Sequence, residues 1–275
     1  RSDASGLDDP FILMSTTPSV EGVDVEGVTA YPIEGVLIKD VTITGVQKQL
    51  FYANKTHYLL QNLSLVNSVI GLSGTKTIFD FNSGGNVVEL LVDQSTIYGP
   101  KEGWSNGGFH STQSIKSVQQ LGGEYEKTTI TNSTLYNIAC GKTTSTIVKN
   151  SQTWMSYEVR NNVIVNCGKS GQFCAGLNSG QQGKADGWTV DNNVFNFDDV
   201  DVSATENSKI AGEITNSVAG VMAFTSVVDP VDFGGVFTLA VGATAPETLG
   251  DPRWTITYEN APEIAKFYMI SDMNE

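Results

Sequence analysis

The chain has 275 residues and a formal net charge of −14 at pH 7, because 30 Asp and Glu outnumber 16 Lys and Arg. This acidity argues against nucleic acid and anionic membrane surfaces as partners, and it disfavours a passive grip on polyanions unless Ca²⁺ bridges. The abundance of Gly, Asn, Ser and Thr is typical of a turn-rich β protein. No run of about 20 apolar residues is present, so the sequence predicts no transmembrane span.

Residues 1–35 begin with a polar stretch and continue with alternating apolar and polar residues. The segment VEGVDVEGVT at 20–29 is the clearest case, and alternation of period two is typical of strands. We expect residues 1–35 to supply N-terminal strands that cover the apolar end of the fold, because open strand edges are prone to unwanted pairing.

One pattern recurs six times between residues 38 and 197: an apolar residue, a variable residue, then Asn, Asp or Gln, followed by a second apolar alternation. The copies are IKDVTITG, LQNLSLVN, VDQSTIYG, ITNSTLYN, VRNNVIVN and VDNNVFNF, centred on Asp40, Asn62, Gln94, Asn132, Asn161 and Asn192. Each copy predicts two short strands that meet at a polar corner, because Asn and Asp tolerate left-handed backbone angles. In stacked copies, the corner amides are expected to hydrogen-bond one another as a ladder.

A repeat of roughly 20–50 residues that cannot bury its own apolar face must stack on its neighbours. We therefore predict an all-β fold, a single-stranded right-handed parallel β-helix, with coils over residues 36–203. A β-sandwich also contains many short strands, but it gives no reason for the same corner residue to return. The pattern changes from about residue 203, and residues 225–254 contain no such corner. We expect residues 204–275 to form a C-terminal cap packed on the solenoid.

Two insertions between corners, containing residues 99–111 and 167–187, are rich in Gly, Ser, Asn and Gln. Insertions in solenoids gather on one face and often form the binding surface. Aromatic rings there could stack on the apolar face of a sugar, while amides bond its hydroxyl groups. The residues that we expect to contact such a ligand are Trp104, Asn106, Phe109, Phe173, Asn178 and Gln181.

The three cysteines, Cys140, Cys167 and Cys174, are an odd number, so at least one is unpaired within a monomer. Cys140 and Cys167 end successive repeats, where they would stack as buried thiols; a disulfide is the alternative. The only two histidines, His57 and His110, would form an acid–base pair only if the fold joined them.

The repeated coils, such as VRNNVIVN and VDNNVFNF, resemble those of the pectate-lyase-like β-helix superfamily. The stretch FGGVFTLAVGATAPETLGDPRW at 233–254 resembles the close of β-helix proteins exported by Bacteroidetes, which are often lipoproteins found beside glycan-import genes. This resemblance implies an exported protein of the periplasm or the outer-membrane surface, with any lipid anchor lying outside the given sequence.

The resemblance also implies a position for a site. Enzymes of the pectate-lyase type act outside one parallel sheet, where acidic residues hold Ca²⁺ and an Arg or Lys abstracts a proton beside a uronate carboxylate. The outward positions before successive corners would bring Glu158, Arg160 and Asp191 together, with Asp93 two coils away at roughly 10 Å. Arg160 would then be the base or a substrate clamp, and Glu158 and Asp191 the catalytic carboxylates. Asp93, Glu158 and Asp191 would be metal ligands only in a Ca²⁺-dependent protein. The alternative is a surface ion pair between neighbouring coils.

The function that we expect is binding of a polysaccharide or surface glycan, without catalysis, by an exported cell-surface protein that uses its loop insertions. The alternative is a polysaccharide lyase or hydrolase that acts through Glu158, Arg160 and Asp191. A second alternative is a structural or adhesive surface protein. No cofactor is expected apart from Ca²⁺ in the lyase alternative, and the sequence leaves the oligomeric state open.

Overall fold

The computed structural model describes residues 2–3, 8–25, 27–74, 76–100, 109–111, 126–138, 148–149, 155–165, 167, 174–175, 188–196, 214–215, 218–219, 222–226, 236–239, 250–253 and 255–258. All regular secondary structure in these residues is β-strand, with no helix among them. The same residues therefore include no helix long and apolar enough to span a bilayer.

The strands in the described ranges are numbered in chain order. They are β1 (Ser2–Asp3), β2 (Ile12–Met14), β3 (Val23–Val25), β4 (Val28–Lys39), β5 (Thr42–Val46), β6 (Phe51–Val66), β7 (Val69–Leu72), β8 (Phe79–Asp93), β9 (Thr96–Tyr98), β10 (His110–Ser111), β11 (Glu126–Thr131), β12 (Thr134–Tyr136), β13 (Val148–Lys149), β14 (Met155–Arg160), β15 (Val163–Val165), β16 (Cys174–Ala175), β17 (Trp188–Asp191), β18 (Val194–Asn196), β19 (Ile214–Thr215), β20 (Val218–Ala219), β21 (Met222–Ser226), β22 (Val236–Leu239) and β23 (Thr255–Tyr258).

Two sheets, formed almost entirely by parallel pairing, run the length of the stack. The eight-stranded sheet has the order β1-β5-β7-β9-β12-β15-β18-β20, and the ten-stranded sheet has the order β19-β17-β14-β11-β8-β6-β4-β3, with β2 and β10 joined to its side. From β4 onward the chain passes from a strand of the ten-stranded sheet, around a corner, to a strand of the eight-stranded sheet, and then returns one coil further on. The fold is therefore an all-β solenoid of stacked parallel strands, as the repeat predicts.

The corners hold non-glycine residues at positive φ. Five predicted corner residues have this conformation, namely Asp40 (φ 55°), Gln94 (47°), Asn132 (48°), Asn161 (57°) and Asn192 (56°). The prediction of Asn62 as the second corner is wrong: Asn67 (φ 46°) occupies the corner, whereas Asn62 lies within β6 and is exposed. The apolar alternation continues through Leu63 and Leu65, so the strand does not end at Asn62.

With Asn67 as the second corner, the core side chains of successive coils align in two columns, one in each sheet. In the ten-stranded sheet the column residues Ile38, Leu65, Val92, Ile130 and Val159 are in register and buried. In the eight-stranded sheet the column is Ile43, Ile70, Ile97, Leu135 and Ile164, also buried. Complete burial of each such side chain stabilises the fold by roughly 1.5–3 kcal/mol, so the columns supply much of the force that holds the coils together.

Two polar ladders run along the corners. In the outer ladder, Asn67 donates to Asp40 (2.7 Å), Asn161 donates to Asn132 (3.2 Å) and Asn192 donates to Asn161 (2.6 Å). The predicted bonding between corner side chains is confirmed for these three pairs, whereas Asn132 donates to Asp93 and not to the corner residue Gln94. A second, inner ladder begins one residue after each corner. Its members are Ser68, Ser95, Ser133, Asn162 and Asn193, all fully buried, and each side chain except that of Ser68 accepts the backbone N–H of the preceding member at 2.9–3.1 Å. These bonds satisfy backbone groups that the corner removes from the sheets.

The parallel stacking continues past residue 203, the predicted limit of the coils. Ile214 is in register with Val190, and Ala219 with Phe195, so β19 and β20 extend both sheets. Further on, β21, β22 and β23 form a separate three-stranded sheet. At the other end, β1 and β2 pair in parallel with β5 and β6, which places residues of the predicted N-terminal cap at the edges of the stack.

Cys167 is a buried cysteine inside the stack. Its Sγ accepts the backbone N–H of Ile138, in the preceding coil, at 3.4 Å. This matches the predicted packing of a small apolar thiol at that position. The side-chain surroundings of Cys140 and Cys174 lie outside the part of the chain that is described.

Candidate functional site

The outer face of the eight-stranded sheet is covered by residues 250–253, here named the strap. Thr96 and Thr134 directly precede core residues, so they point away from the core, yet they are only 1% and 0% exposed. Both hydroxyl groups bond the strap: Thr96 donates to the Asp251 carboxylate at 2.6 Å, and Thr134 accepts the Asp251 N–H at 3.1 Å. This part of the sheet is therefore closed to a ligand.

The outer face of the ten-stranded sheet carries three rows of outward side chains parallel to the stacking axis. The rows are Gly35, Asn62, Glu89, Lys127 and Ser156; Leu37, Ser64, Leu91, Thr129, Glu158 and Thr189; and Lys39, Val66, Asp93, Thr131, Arg160 and Asp191. Most of these residues are partly or fully exposed. Leu37, on the first coil, is 64% exposed. The charged members of the rows are Lys39, Glu89, Asp93, Lys127, Glu158, Arg160 and Asp191.

A charged cluster of Lys127, Glu158, Arg160 and Asp191 lies on the later coils of this face. Glu158 contacts Lys127 Nζ at 2.9 Å and Arg160 Nε at 3.3 Å, and Arg160 Nη1 lies 3.9 Å from Asp191. The predicted proximity of Glu158, Arg160 and Asp191 is therefore confirmed. Lys127 is not among the predicted site residues. It lies on the same face of β11 as Thr129, two residues earlier, and Thr129 is in register with Glu158.

The charged cluster alternates cations and carboxylates. Its side chains are between 23% and 47% exposed, and ion pairs this accessible to water contribute roughly 0–1 kcal/mol to stability. They therefore do little for the fold, while their donors and acceptors face solvent, where hydroxyl and carboxylate groups of a ligand could bond them. Arginine holds its proton tightly in proteins, so the arrangement suits binding better than proton abstraction.

Asp93 does not join the charged cluster. It shares a row with Arg160 and Asp191, but Thr131 lies between Asp93 and Arg160. Its Oδ1 accepts hydrogen bonds from Thr131 Oγ1 (2.8 Å) and Asn132 Nδ2 (2.9 Å). Across the described ranges no three His, Cys, Asp or Glu side chains converge to hold a metal ion. Asp93 thus lies apart from Glu158 and Asp191, and a Ca²⁺ role for these three carboxylates, given only for a Ca²⁺-dependent protein, stays a prediction.

The predicted aromatic platform needs one correction. Phe109 is fully buried, and its ring packs edge-on against Phe79 with the ring centroids 5.2 Å apart. It has no free face for a sugar, because the backbone around it joins the core strands: the Phe109 carbonyl accepts the N–H of Phe79 at 3.0 Å. The other predicted contact residues, Trp104, Asn106, Phe173, Asn178 and Gln181, lie outside the described residues.

Histidine 110 is also a core residue. Its ring packs edge-on against Phe81, with centroids 6.0 Å apart, and Nδ1 lies 3.3 Å from Thr128 Oγ1. Complete burial lowers its pKa from 6.5 to about 4, because a charged imidazolium would lose its hydration. His110 is therefore a neutral structural residue at pH 7, with no access to a ligand on the outer face.

Long connections precede the strands that carry the charged cluster. The chain takes short connections into β6 and β8, at residues 47–50 and 73–78, but long ones into β11, β14 and β17, at residues 99–125, 137–154 and 166–187. Because β11, β14 and β17 are parallel neighbours, their first residues lie along one edge of the sheet. The three long connections, which include the short strands β10, β13 and β16, therefore reach the sheet at the same edge, the one nearest to Lys127 of the charged cluster.

The long connections and the strands between them differ in charge from the remaining chain. Residues 99–187 contain eight of the 16 Lys and Arg but only five of the 30 Asp and Glu. Their formal charge is therefore +3, whereas the remaining residues sum to −17. A local positive balance within an acidic protein favours an anionic partner at that location.

Comparison with protein-family models, with curated proteins and with solved structures finds no match to this chain. The site is therefore defined by its own geometry: an open parallel sheet face that carries the charged cluster, with three long connections at one edge.

Proposed function

We propose that this solenoid binds a polysaccharide on the outer face of its ten-stranded sheet, at the charged cluster. The observation that carries the proposal is the coincidence of two features on the same three strands. The charged cluster lies on β11, β14 and β17, and these strands are the ones that receive long connections. Solenoid insertions of this kind commonly form binding surfaces.

The chemistry of the site favours an acidic polysaccharide. Lys127 and Arg160 supply cationic donors for carboxylate or sulfate groups, and Glu158 and Asp191 accept hydrogen bonds from sugar hydroxyl groups. Trp104 and Phe173 of the long connections would stack on sugar rings, with Asn106, Asn178 and Gln181 as further hydroxyl partners. The local formal charge of +3 in residues 99–187 offsets the repulsion expected from the acidic remainder.

The setting of this activity follows from the sequence resemblance to exported Bacteroidetes β-helix proteins of the pectate-lyase-like superfamily. In that setting, the protein works in the periplasm or at the outer-membrane surface, and a lipid anchor outside the given sequence would hold it there. Its role is to retain a glycan at the cell surface.

The second candidate function is a polysaccharide lyase or hydrolase. The observation that favours it is the contact of Arg160 with both Glu158 and Asp191 on one open sheet face, where a base and carboxylates could act on a bound chain. A structural or adhesive role, with a protein partner, is the third candidate, and it needs no glycan.

The test is a screen of purified protein against plant and host polysaccharides, with and without Ca²⁺. Affinity gel retardation reports binding, and ultraviolet absorbance of unsaturated uronate products reports lyase activity. We expect retardation by acidic polysaccharides without product, and weaker retardation for Trp104→Ala. Product formation that is lost in Arg160→Ala would establish the lyase instead. Absence of both signals would reject glycan binding and leave the adhesive role.

A further inference from the structure

The strap, residues 250–253, crosses several coils of the eight-stranded sheet. Gly250 N–H bonds the carbonyl of Asn161 at 2.7 Å, and Asp251 bonds Thr96 and Thr134. Arg253 Nη2 then donates to the carbonyls of Ser68 (3.0 Å) and Gln94 (2.9 Å). The contacted residues extend from the corner before β15 back to the corner before β7, so four residues connect four successive coils.

The strap forms a compact turn with its charges paired internally. Asp251 is fully buried and the Arg253 side chain is only 11% exposed. The Asp251 carboxylate accepts the backbone N–H of Arg253 at 3.0 Å and its guanidinium at 2.5–3.0 Å, with Pro252 between them. A carboxylate bonded to the backbone two residues on is a common turn motif, and proline restricts that turn further. The charges of Asp251 and Arg253 are therefore paired with each other within the strap.

The sheet fits the strap in shape as well as in polarity. Gly250 has a φ of +69°, and a Cβ atom there would lie 2.8 Å from Thr134 Oγ1 and 2.9 Å from Val163 Cγ2. A side chain at position 250 would thus be strained and would also collide with the sheet. Gly250, Asp251 and Arg253 each bond different groups of the sheet, as expected of a site that recognises one peptide sequence.

The coils do not need the strap for their own backbone bonding. The parallel registers between β7, β9, β12 and β15 and the inner ladder from Ser68 to Asn162 form without it. The strap, in contrast, meets partners that lie more than 80 residues earlier in the sequence. Contacts at such separation must offset the entropy of closing a long loop.

We propose that the outer face of the eight-stranded sheet is a binding site for a Gly-Asp-Pro-Arg turn, occupied by the strap of the same chain. The strap docks as a separable unit onto coils that are already folded, and it then clamps them together. This proposal is independent of glycan binding, because it concerns the opposite sheet.

The test uses the full chain carrying Arg253→Ala and a fluorescent peptide with the sequence TLGDPRWT, residues 248–255. Docking within one chain benefits from an effective concentration of roughly millimolar, so the peptide is titrated to about 1 mM. We expect the peptide to bind the variant and raise its thermal midpoint, and to bind the wild-type chain at least about tenfold more weakly because the site is filled. A peptide with Asn in place of Asp is the control and should not bind. Equal binding to both chains, or none to either, would overturn the proposal.

Hydrogen exchange on the wild-type chain provides a second test that does not depend on the variant folding. If the strap detaches as a unit, the amides of Gly250 and Asp251 exchange together, and at lower denaturant concentration than those of Leu65 and Val92. Exchange of all four amides only through global unfolding would contradict a separable strap.

Discussion

Asn132 holds a backbone conformation that most side chains avoid, with a φ of 48°. Its side chain donates to Asp93 at 2.9 Å and accepts from Asn161 at 3.2 Å. Asn132→Ala removes both hydrogen bonds, and alanine tolerates positive φ less well than asparagine. Urea denaturation should therefore show a loss of about 2 kcal/mol in the free energy of unfolding. Asn132→Gly keeps the backbone tolerance and should lose about 1 kcal/mol. Equal losses in the two variants would contradict an additional cost of positive φ for alanine at this corner.

The burial of His110 should make the free energy of unfolding depend on pH. Its pKa is about 4 in the folded chain and near 6.5 when unfolded, so the unfolded state binds more protons between these values. The stabilisation is complete above pH 6.5 and is lost as the pH falls towards 4, by on the order of 3 kcal/mol.

The measurement is urea denaturation at pH 7 and pH 4. The wild-type chain should lose about 3 kcal/mol more than His110→Phe over this range. Identical pH dependence in wild type and His110→Phe would exclude His110 as the responsible group.

Single residues show where sequence reasoning reaches its limit. The corner role of Asn132 is predictable, because a polar residue interrupts two apolar alternations there. Asn62 fits the same local pattern, yet Asn67 forms the corner, because the apolar alternation through Leu63 and Leu65 continues the strand past Asn62. The inner ladder of serine and asparagine is visible only when the strands are in register, since an isolated Ser95 resembles any turn serine.

At the scale of elements, Gly250 and Gly27 offer a matched pair. Both have positive φ, of +69° and +82°, but a Cβ at Gly27 would meet nothing within 4 Å, whereas at Gly250 it would collide with Thr134 and Val163. Gly27→Ala should therefore cost only about 1 kcal/mol of backbone strain. Gly250→Ala should cost at least about 2 kcal/mol, because overpacking adds to the strain. Thermal unfolding of the two variants measures the difference, and equal midpoints would mean that the strap is not docked.

Strand register makes the charged cluster predictable and also explains the error at Phe109. Outward side chains lie one and three residues before each corner. Counting back from Asn161 and Asn192 in the sequence therefore brings Glu158, Arg160 and Asp191 together. Phe109, in contrast, follows a Gly-rich and Ser-rich stretch that resembles a loop. Its burial depends on the pairing of β10 with β8, a contact between segments about 30 residues apart that no local pattern reveals.

At the scale of the whole molecule, the repeat predicts the fold class because each coil needs its neighbours to bury its apolar face. The end of the stack lies beyond the predicted limit: residues 214–217 read ITNS, as residues 130–133 do, and β19 and β20, which flank Asn216 and Ser217 in the sequence, extend both sheets. The site depends on a further property of the whole chain, because the acidic total of −14 conceals the +3 of residues 99–187. Composition alone therefore points away from an anionic ligand, whereas the location of the charges points towards one.

The central claim is that a glycan binds at the charged cluster rather than elsewhere on the ten-stranded sheet. Isothermal titration with an acidic polysaccharide should compare the wild-type chain, Arg160→Ala and Lys39→Ala. Lys39 lies in the same row as Arg160, four strands away, which corresponds to about 19 Å. We predict at least about tenfold weaker binding for Arg160→Ala and unchanged binding for Lys39→Ala. Equal affinity in all three chains, or an equal loss in both variants, would contradict a site at the charged cluster.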